Sequence, residues 1–247
     1  MATRSCPSQD ERARTCMHVG AHPSRRGQGA TPRRPAVVPF RHRVVVMVKV
    51  PVAGRVKTRL ARQVGDVRAT FFYRHTAAAV VARVRASRAW QTLLAVTPDT
   101  GLSHRCWPPH TIRIAQGGGD LGQRMQRIMN CQPPGPVVII GTDVPGIRPT
   151  DIAAAFTALG QCDAVLGPAH DGGYWLVGLK RRPRVVSAFD NVRWSSTHAL
   201  EDTMGNLAGY RLARAVALGD VDDPQELASS SSWFGRRVLP LHVGAGS

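Results

Sequence analysis

A basic cluster and three separated acidic positions are the residues in this chain best suited to handling a phosphate and a metal ion. The cluster lies in VVVMVKVPVAGRVKTRL, Val44 to Leu60. There a β-branched run stops at Pro51, turns at Gly54 and gives way to Arg55, Lys57, Thr58 and Arg59. A strand, a glycine-containing loop and a cationic cluster entering a helix make an anion seat. Backbone N–H groups and the helix N-terminus face the ligand, and Lys or Arg side chains close over it. Lys49, Gly54, Lys57 and Arg59 are therefore candidate phosphate-binding residues, and Lys57 a candidate catalytic one. The stretch matches neither G-x-G-x-x-G nor G-x-x-x-x-G-K-[ST]. A basic surface turn is the alternative.

Asp143 follows the apolar run PVVIIG directly. A carboxylate there can hold Mg²⁺, a hard cation that takes oxygen ligands and bridges substrate phosphates. The alternative is an Asx-turn closing the strand, helped by Pro145. Asp220, Asp222 and Asp223 form an acidic cluster in a basic chain. Asp220 and Asp222 fall on one side of an extended segment and can complete a metal site with Asp143. Asp223 suits an N-cap before Pro224. In HDGGYW, residues 170–175, the paired glycines Gly172 and Gly173 allow close backbone approach to a ligand beside Asp171. Tyr174 or Trp175 could pack on a base or sugar, or simply fill the core. A second glycine-rich turn, Gly117 to Gly122, offers Gly119 and Gly122, with Gln123 and Arg124, as another anion contact or a flexible helix start.

Other chemistries find no support. The nine histidines show no ligand spacing for zinc, and no G-x-S-x-G elbow is present. Five scattered cysteines without a C-x-x-C pair read as free thiols in a reducing compartment.

The elements that must position these residues follow from periodicity. Apolar runs predict strands at 44–48, 91–97, 111–115, 136–141, 163–166, 174–179 and 210–216. Helices are expected over 67–86, with Phe71 and Phe72 in its core-facing stripe, and over 120–129. Two more are expected over 150–159, with Thr150 as N-cap, and over 196–207, with a short one after Pro224. Alternating strands and helices imply a three-layer α/β/α domain around a mostly parallel sheet. Lys57, Asp143, Asp171 and Asp220 all fall at strand ends, where such sheets bind ligands.

The chain carries a formal charge of +17 over 247 residues. That balance favours anionic partners. Residues 1–43 hold nine arginines and two acids with little apolar content, so they are expected to be disordered. The transferase domain is expected over 44–228, with a Ser-rich tail over 229–247. No apolar run is long enough to span a membrane, and no signal-peptide pattern opens the chain, so a cytoplasmic location is expected.

Six segments in order, KVPVAGRVKTRL, GGGDLGQRM, VVIIGTDVPGI, LGPAHDGGYWLVGL, FDNVRWSST and GDVDDPQEL, resemble a bacterial family of glycosyltransferase-A-like transferases, also described as selenodomain-associated transferases. That family is similar to the 2-phospho-L-lactate guanylyltransferases and, more distantly, the molybdenum-cofactor guanylyltransferases. The resemblance spans roughly 44–227. It implies a nucleotide-diphospho-sugar transferase fold that is GT-A-like and Rossmann-like. It also implies a nucleotide triphosphate or nucleotide-sugar, a small-molecule acceptor and Mg²⁺ (or Mn²⁺). By position it makes Lys57 and Arg59 phosphate contacts, Asp143 the metal Asp, and Asp171 with Gly172 and Gly173 the acceptor-side loop. Asp220 and Asp222 become the second carboxylate position. The first loop lacks the L-x-A-G-G-x-S-x-R-x-G pattern of sugar nucleotidyltransferases.

The expectation is a Mg²⁺-dependent nucleotidyl- or glycosyltransferase, compatible with a homodimer. One alternative is a nucleotide-binding module without catalysis. Another is an electrostatic nucleic-acid binder through residues 1–43. It ranks below both, since that segment lacks interleaved aromatics.

Overall fold

The computed structural model describes residues 41–181 and 186–219. The N-terminal extension, the Asp220–Asp223 cluster, the helix after Pro224 and the Ser-rich tail lie outside the described residues.

The chain runs β1 (Arg43–Lys49), α1 (Thr58–Val64), α2 (Asp66–Arg85), β2 (Gln91–Thr97), β3 (Ile112–Ala115), α3 (Leu121–Cys131) and β4 (Val137–Ile140). It continues through α4 (Pro149–Gln161), β5 (Ala164–Pro168), β6 (Tyr174–Leu179), α5 (Ala199–Asn206) and β7 (Leu212–Arg214). The strands make one seven-stranded sheet in the order β3-β2-β1-β4-β6-β5-β7. Every neighbouring pair is parallel except those made by β6, which is antiparallel to both β4 and β5.

Side-chain alternation on β1 shows why the sheet is covered on both faces. Val44, Val46 and Val48 face one core with Val80, Val81 and Val84 of α2 and Ile152, Phe156 and Leu159 of α4. Val45 faces the other core with Met125, Ile128 and Met129 of α3. Each fully buried aliphatic of this kind contributes about 1.5–3 kcal/mol relative to exposure. A mostly parallel sheet between helical layers is the expected class.

Three local expectations are corrected. On α2 the buried positions follow Ala69, Phe72/Tyr73, Thr76/Ala77, Val80/Val81 and Val84, so the 3.6-residue period turns Phe71 outward. Phe71 is 56 % exposed and packs on His75 instead. Helix α4 is capped by Arg148 rather than Thr150. Pro149 opens the helix, and Asp151 Oδ2 accepts from the Arg148 N–H at 2.9 Å. Among the cysteines of the described residues, Cys106 and Cys162 are free but Cys131 is disulfide-bonded.

From β1 the chain steps to β2 and β3, then returns to place β4 on the other flank of β1. Their connections diverge, so the carboxyl ends of β1 and β4 frame a crevice.

Candidate functional site

That crevice opens into a cavity of about 990 Å³ across the carboxyl ends of the sheet. At its centre the Lys57 ammonium lies 3.3 Å from Asp143 Oδ1. The two residues come from the loops after β1 and β4, so the pair bridges the switch point. The Lys57 side chain is only 6 % exposed, whereas that of Asp143 is 56 % exposed and faces the open cavity. Lys57 immediately precedes α1 and has left-handed backbone (φ 47°, ψ 46°) without being glycine. Such a conformation costs on the order of 1–3 kcal/mol and tends to mark functional positions. The turn before it is closed by Arg55 N–H donating to Val52 O at 3.0 Å.

Beneath the pair, Tyr73 of α2 reaches the end of β1. Its hydroxyl accepts from the Lys49 backbone N–H at 2.7 Å and shares a hydrogen bond with Thr142. Burial, aided by the negative charge of Asp143, pushes the phenol above its ordinary range, so it stays protonated. Tyr73 thus ties both strand ends together under the ion pair.

Arg124 of α3 enters the cavity from the β3 side. Its guanidinium donates through Nη1 to Gln116 Oε1 at 3.0 Å and through Nε to Asp120 O at 3.2 Å. Gln116 is in turn fixed by Nε2 donating to Val48 O and Ala95 O, at 3.1 and 2.8 Å. A buried amide with its partners filled therefore aims a cation at the cavity.

The far wall is the loop 190–198. Asp202 and Asn206 of α5 clamp it. Asp202 accepts from Arg193 N, Nε and Nη2 at 2.9, 2.9 and 2.7 Å, while Asn206 Nδ2 donates to Ala188 O and Asp190 O. The Arg193 guanidinium holds Asp202 down at about 2. The clamp sets Trp194 against Tyr174 and Phe189, with ring centroids 6.2 and 6.4 Å away.

Of the residues expected from sequence, Lys49, Lys57, Arg59, Asp143, Asp171 and Gly173 all line this one cavity. Asp171 Oδ1 accepts from Gly173 N–H at 2.9 Å, which shapes the turn into β6. Gly54, Gly119, Gly122 and Gly172 are not in the lining, and their smallness serves the chain itself. A Cβ on Gly122 would sit 2.7 Å from Phe189 O and 2.8 Å from the Trp194 ring, and one on Gly172 would strike the Thr197 backbone. At Gly54 a Cβ would make only ordinary contact with Asp66, and it is the φ of +73° that favours glycine. One at Gly119, where φ is +98°, would run into Gln123 Oε1.

Asp220 and Asp222 lie outside the described residues. The chain leading to them bridges Leu218 to Ala169, a cavity-lining residue, and brings Gly219 beside His170. Tyr73, Trp194 and Gln116 are additions that sequence reading missed. A lone Tyr in a helical stripe and a polar residue ending a strand look like ordinary packing. Trp194 lies in FDNVRWSST, which has no periodic or spacing cue to mark it.

Among the described residues no three His, Cys, Asp or Glu side chains gather as a ligand cluster. At the ion pair they supply the exposed carboxylate of Asp143, and Asp171 lines the same cavity. That suits Mg²⁺, which is commonly bound through one or two carboxylates with water and substrate phosphates completing the shell. No helix is long and apolar enough to cross a membrane among the described residues.

Residues 80–196 match the model of a family described as "Uncharacterized protein conserved in bacteria (DUF2064)". No curated protein matches the chain. The fold is shared with a protein from Desulfovibrio desulfuricans G20 provisionally described as a nucleotide-diphospho-sugar transferase. The two are 29% identical over 76% of this chain and 84% of that one, with a TM-score of 0.70. A CMP:2-keto-3-deoxy-manno-octonic acid synthetase complexed with CTP is similar at 13% identity, covering 80% of this chain and all (100%) of its own, with a TM-score of 0.52. A 4-diphosphocytidyl-2C-methyl-D-erythritol synthase from Anaerococcus prevotii DSM 20548 is similar at 8% identity. It covers 79% of this chain and 98% of its own, with a TM-score of 0.51. At such identities the last two speak to fold alone.

Proposed function

We propose that this chain is a divalent-metal-dependent transferase. It seats a nucleotide triphosphate or nucleotide-sugar over β1 and β4 and passes the nucleotidyl or sugar group to a small acceptor. The observation that carries the reading is the Lys57–Asp143 pair. A nearly buried lysine, held by left-handed backbone, meets an exposed carboxylate across the switch point. A cation beside a hard anionic ligand is what a metal-bound diphosphate requires. The similarity to nucleotide-using proteins of the same fold supports the reading.

In this reading Lys57, Arg59 and Arg124 neutralise phosphate oxygens, with Arg124 pre-oriented by Gln116. Mg²⁺ (or Mn²⁺) held by Asp143, with Asp220 or Asp222 as further carboxylates, would neutralise developing charge on the leaving diphosphate. Asp171 stands on the acceptor side. Acceleration comes from positioning and electrostatics, as in phosphoryl transfer generally.

A thermal-shift panel on the full chain tests this with ATP, GTP, CTP, UTP and nucleotide-sugars, each with and without Mg²⁺. One of these ligands should raise Tm only when Mg²⁺ is present, since ligands of the native state stabilise by mass action. The rise should be lost in Lys57→Ala. A panel with no Mg²⁺-dependent rise would overturn the reading.

A further inference from the structure

The cavity is electrically divided along the sheet. Its lysines and arginines are Lys49, Arg55, Lys57, Arg59 and Arg124, all from β1, the loop after it, α1 or α3. Among the described residues, the half over β5 and β6 contributes none. Its side chains include the Asp171 carboxylate, the aromatic rings of Tyr174 and Trp194, and the hydroxyls of Ser195, Ser196 and Thr197. Arg193, in the same loop as Trp194, already spends its guanidinium on both oxygens of Asp202.

The hydroxyls are differently occupied. Ser196 Oγ donates to Arg193 O at 2.6 Å and accepts from His198 N–H, so it is committed to the loop. Ser195 and Thr197 are exposed. Ser195 is held in left-handed backbone at φ 60°. Trp194 is half-buried with its ring set by Gly122, Tyr174 and Phe189. A fixed aromatic surface flanked by hydroxyls and one carboxylate suits a ligand with apolar C–H faces and several hydroxyl groups.

We propose that this half is the acceptor subsite and that it takes an uncharged, hydroxyl-rich acceptor of the polyol or sugar class, rather than a phosphorylated one. The inference rests on the nucleotide-transferase reading for the role of the other half. A phosphate ester here would lose its hydration, find no lysine or arginine among the described residues that line this half, and face Asp171, which selects against it by repulsion. In the transfer, an acceptor hydroxyl oxygen forms the new bond to phosphorus or to the sugar's anomeric carbon. The bond to the leaving diphosphate breaks, its electron pair departs with that diphosphate, and the hydroxyl proton passes to water in the open cavity.

The test uses the full chain labelled with 5-fluorotryptophan, with Trp194→Phe assigning the Trp194 resonance. The probes are three pairs: glycerol and glycerol 3-phosphate, ribose and ribose 5-phosphate, glucose and glucose 6-phosphate. Each is titrated into protein with and without the nucleotide that raised Tm. At least one neutral member should shift the Trp194 signal with an affinity about tenfold or more above its ester, as expected for a like charge several ångströms from a phosphate. Asp171→Lys should abolish or reverse that order. Esters binding as tightly as their parents, or a Trp194 signal that no neutral probe moves, would overturn the proposal. A failed nucleotide shift alone would remove the transferase reading and leave the probe titrations to decide the acceptor class independently.

Discussion

The two halves of the sheet solve the problem of holding a site by different means. The parallel half, β3-β2-β1-β4, places its candidate site residues through backbone. Lys57 is set by a left-handed turn, and Gln116 bonds directly to strand carbonyls. The mixed half, β6-β5-β7, relies on side-chain clamps, with Asp202 and Asn206 gripping a loop that is neither helix nor strand. Backbone placement suits a ligand part shared by many proteins of one fold, such as a diphosphate. Clamped loops can change sequence without disturbing the sheet, which suits the part of a substrate that differs.

The largest effect should come from the parallel half. Asp143→Asn keeps the shape and still accepts from Lys57, but it removes the exposed anionic ligand. On the proposed reading, loss of metal anchoring worth several kcal/mol predicts a fall of at least about a hundredfold in kcat. Near-UV circular dichroism should remain unchanged, since Asp143 is solvent-facing. A variant with full metal-dependent turnover would break the assignment of Asp143 and shift the weight of the site to the other half.

Gly122 sharpens the boundary between the halves. It sits in the first turn of α3, where Ala would ordinarily favour a helix by up to about 1 kcal/mol. If the glycine existed to admit a ligand, Gly122→Ala would leave stability level or improved. The packing against Phe189 O and Trp194 predicts the opposite sign, a loss of about 1–3 kcal/mol from overpacking. A lower denaturant midpoint with an altered Trp194 environment would confirm that the glycine positions the aromatic wall.

How much of this was readable in advance follows the same division. The strands were legible because β-branched runs such as Val44–Val48 and Val137–Ile140 bury on both faces. Lys57 and Asp143 were each visible as types at strand ends, yet 86 positions separate them, and only the order β1-β4 brings them together. The reversal of β6 left no mark in its composition, because a buried strand reads alike in either direction. Glycines invited a ligand reading, but at Gly122 and Gly172 the close neighbour is the chain's own loop. The clamp of Arg193 on Asp202 spans nine residues across a turn, which no helical or strand period encodes.

That clamp yields the smallest effect and the sharpest sign. Asp202 is held from its ordinary 3.8 down to about 2 by Arg193, first through the side-chain hydrogen bonds and then through the backbone N–H. A carboxyl whose folded value lies below its unfolded one stabilises the fold above the unfolded value. That contribution fades as pH falls toward the folded value. The contribution of Asp202 is therefore complete above about pH 4 and lost between about pH 4 and 2. Asp202→Asn should lower the denaturation midpoint by a small, constant amount at neutral pH, and the gap to the parent protein should close across that acid window. The same substitution loosens the loop carrying Trp194 without touching Lys57 or Asp143. Nucleotide-induced stabilisation should then persist while the response to neutral hydroxylated probes weakens. If the gap instead widened on acidification, or nucleotide binding fell along with probe binding, the two halves would have to be treated as one mechanically coupled site.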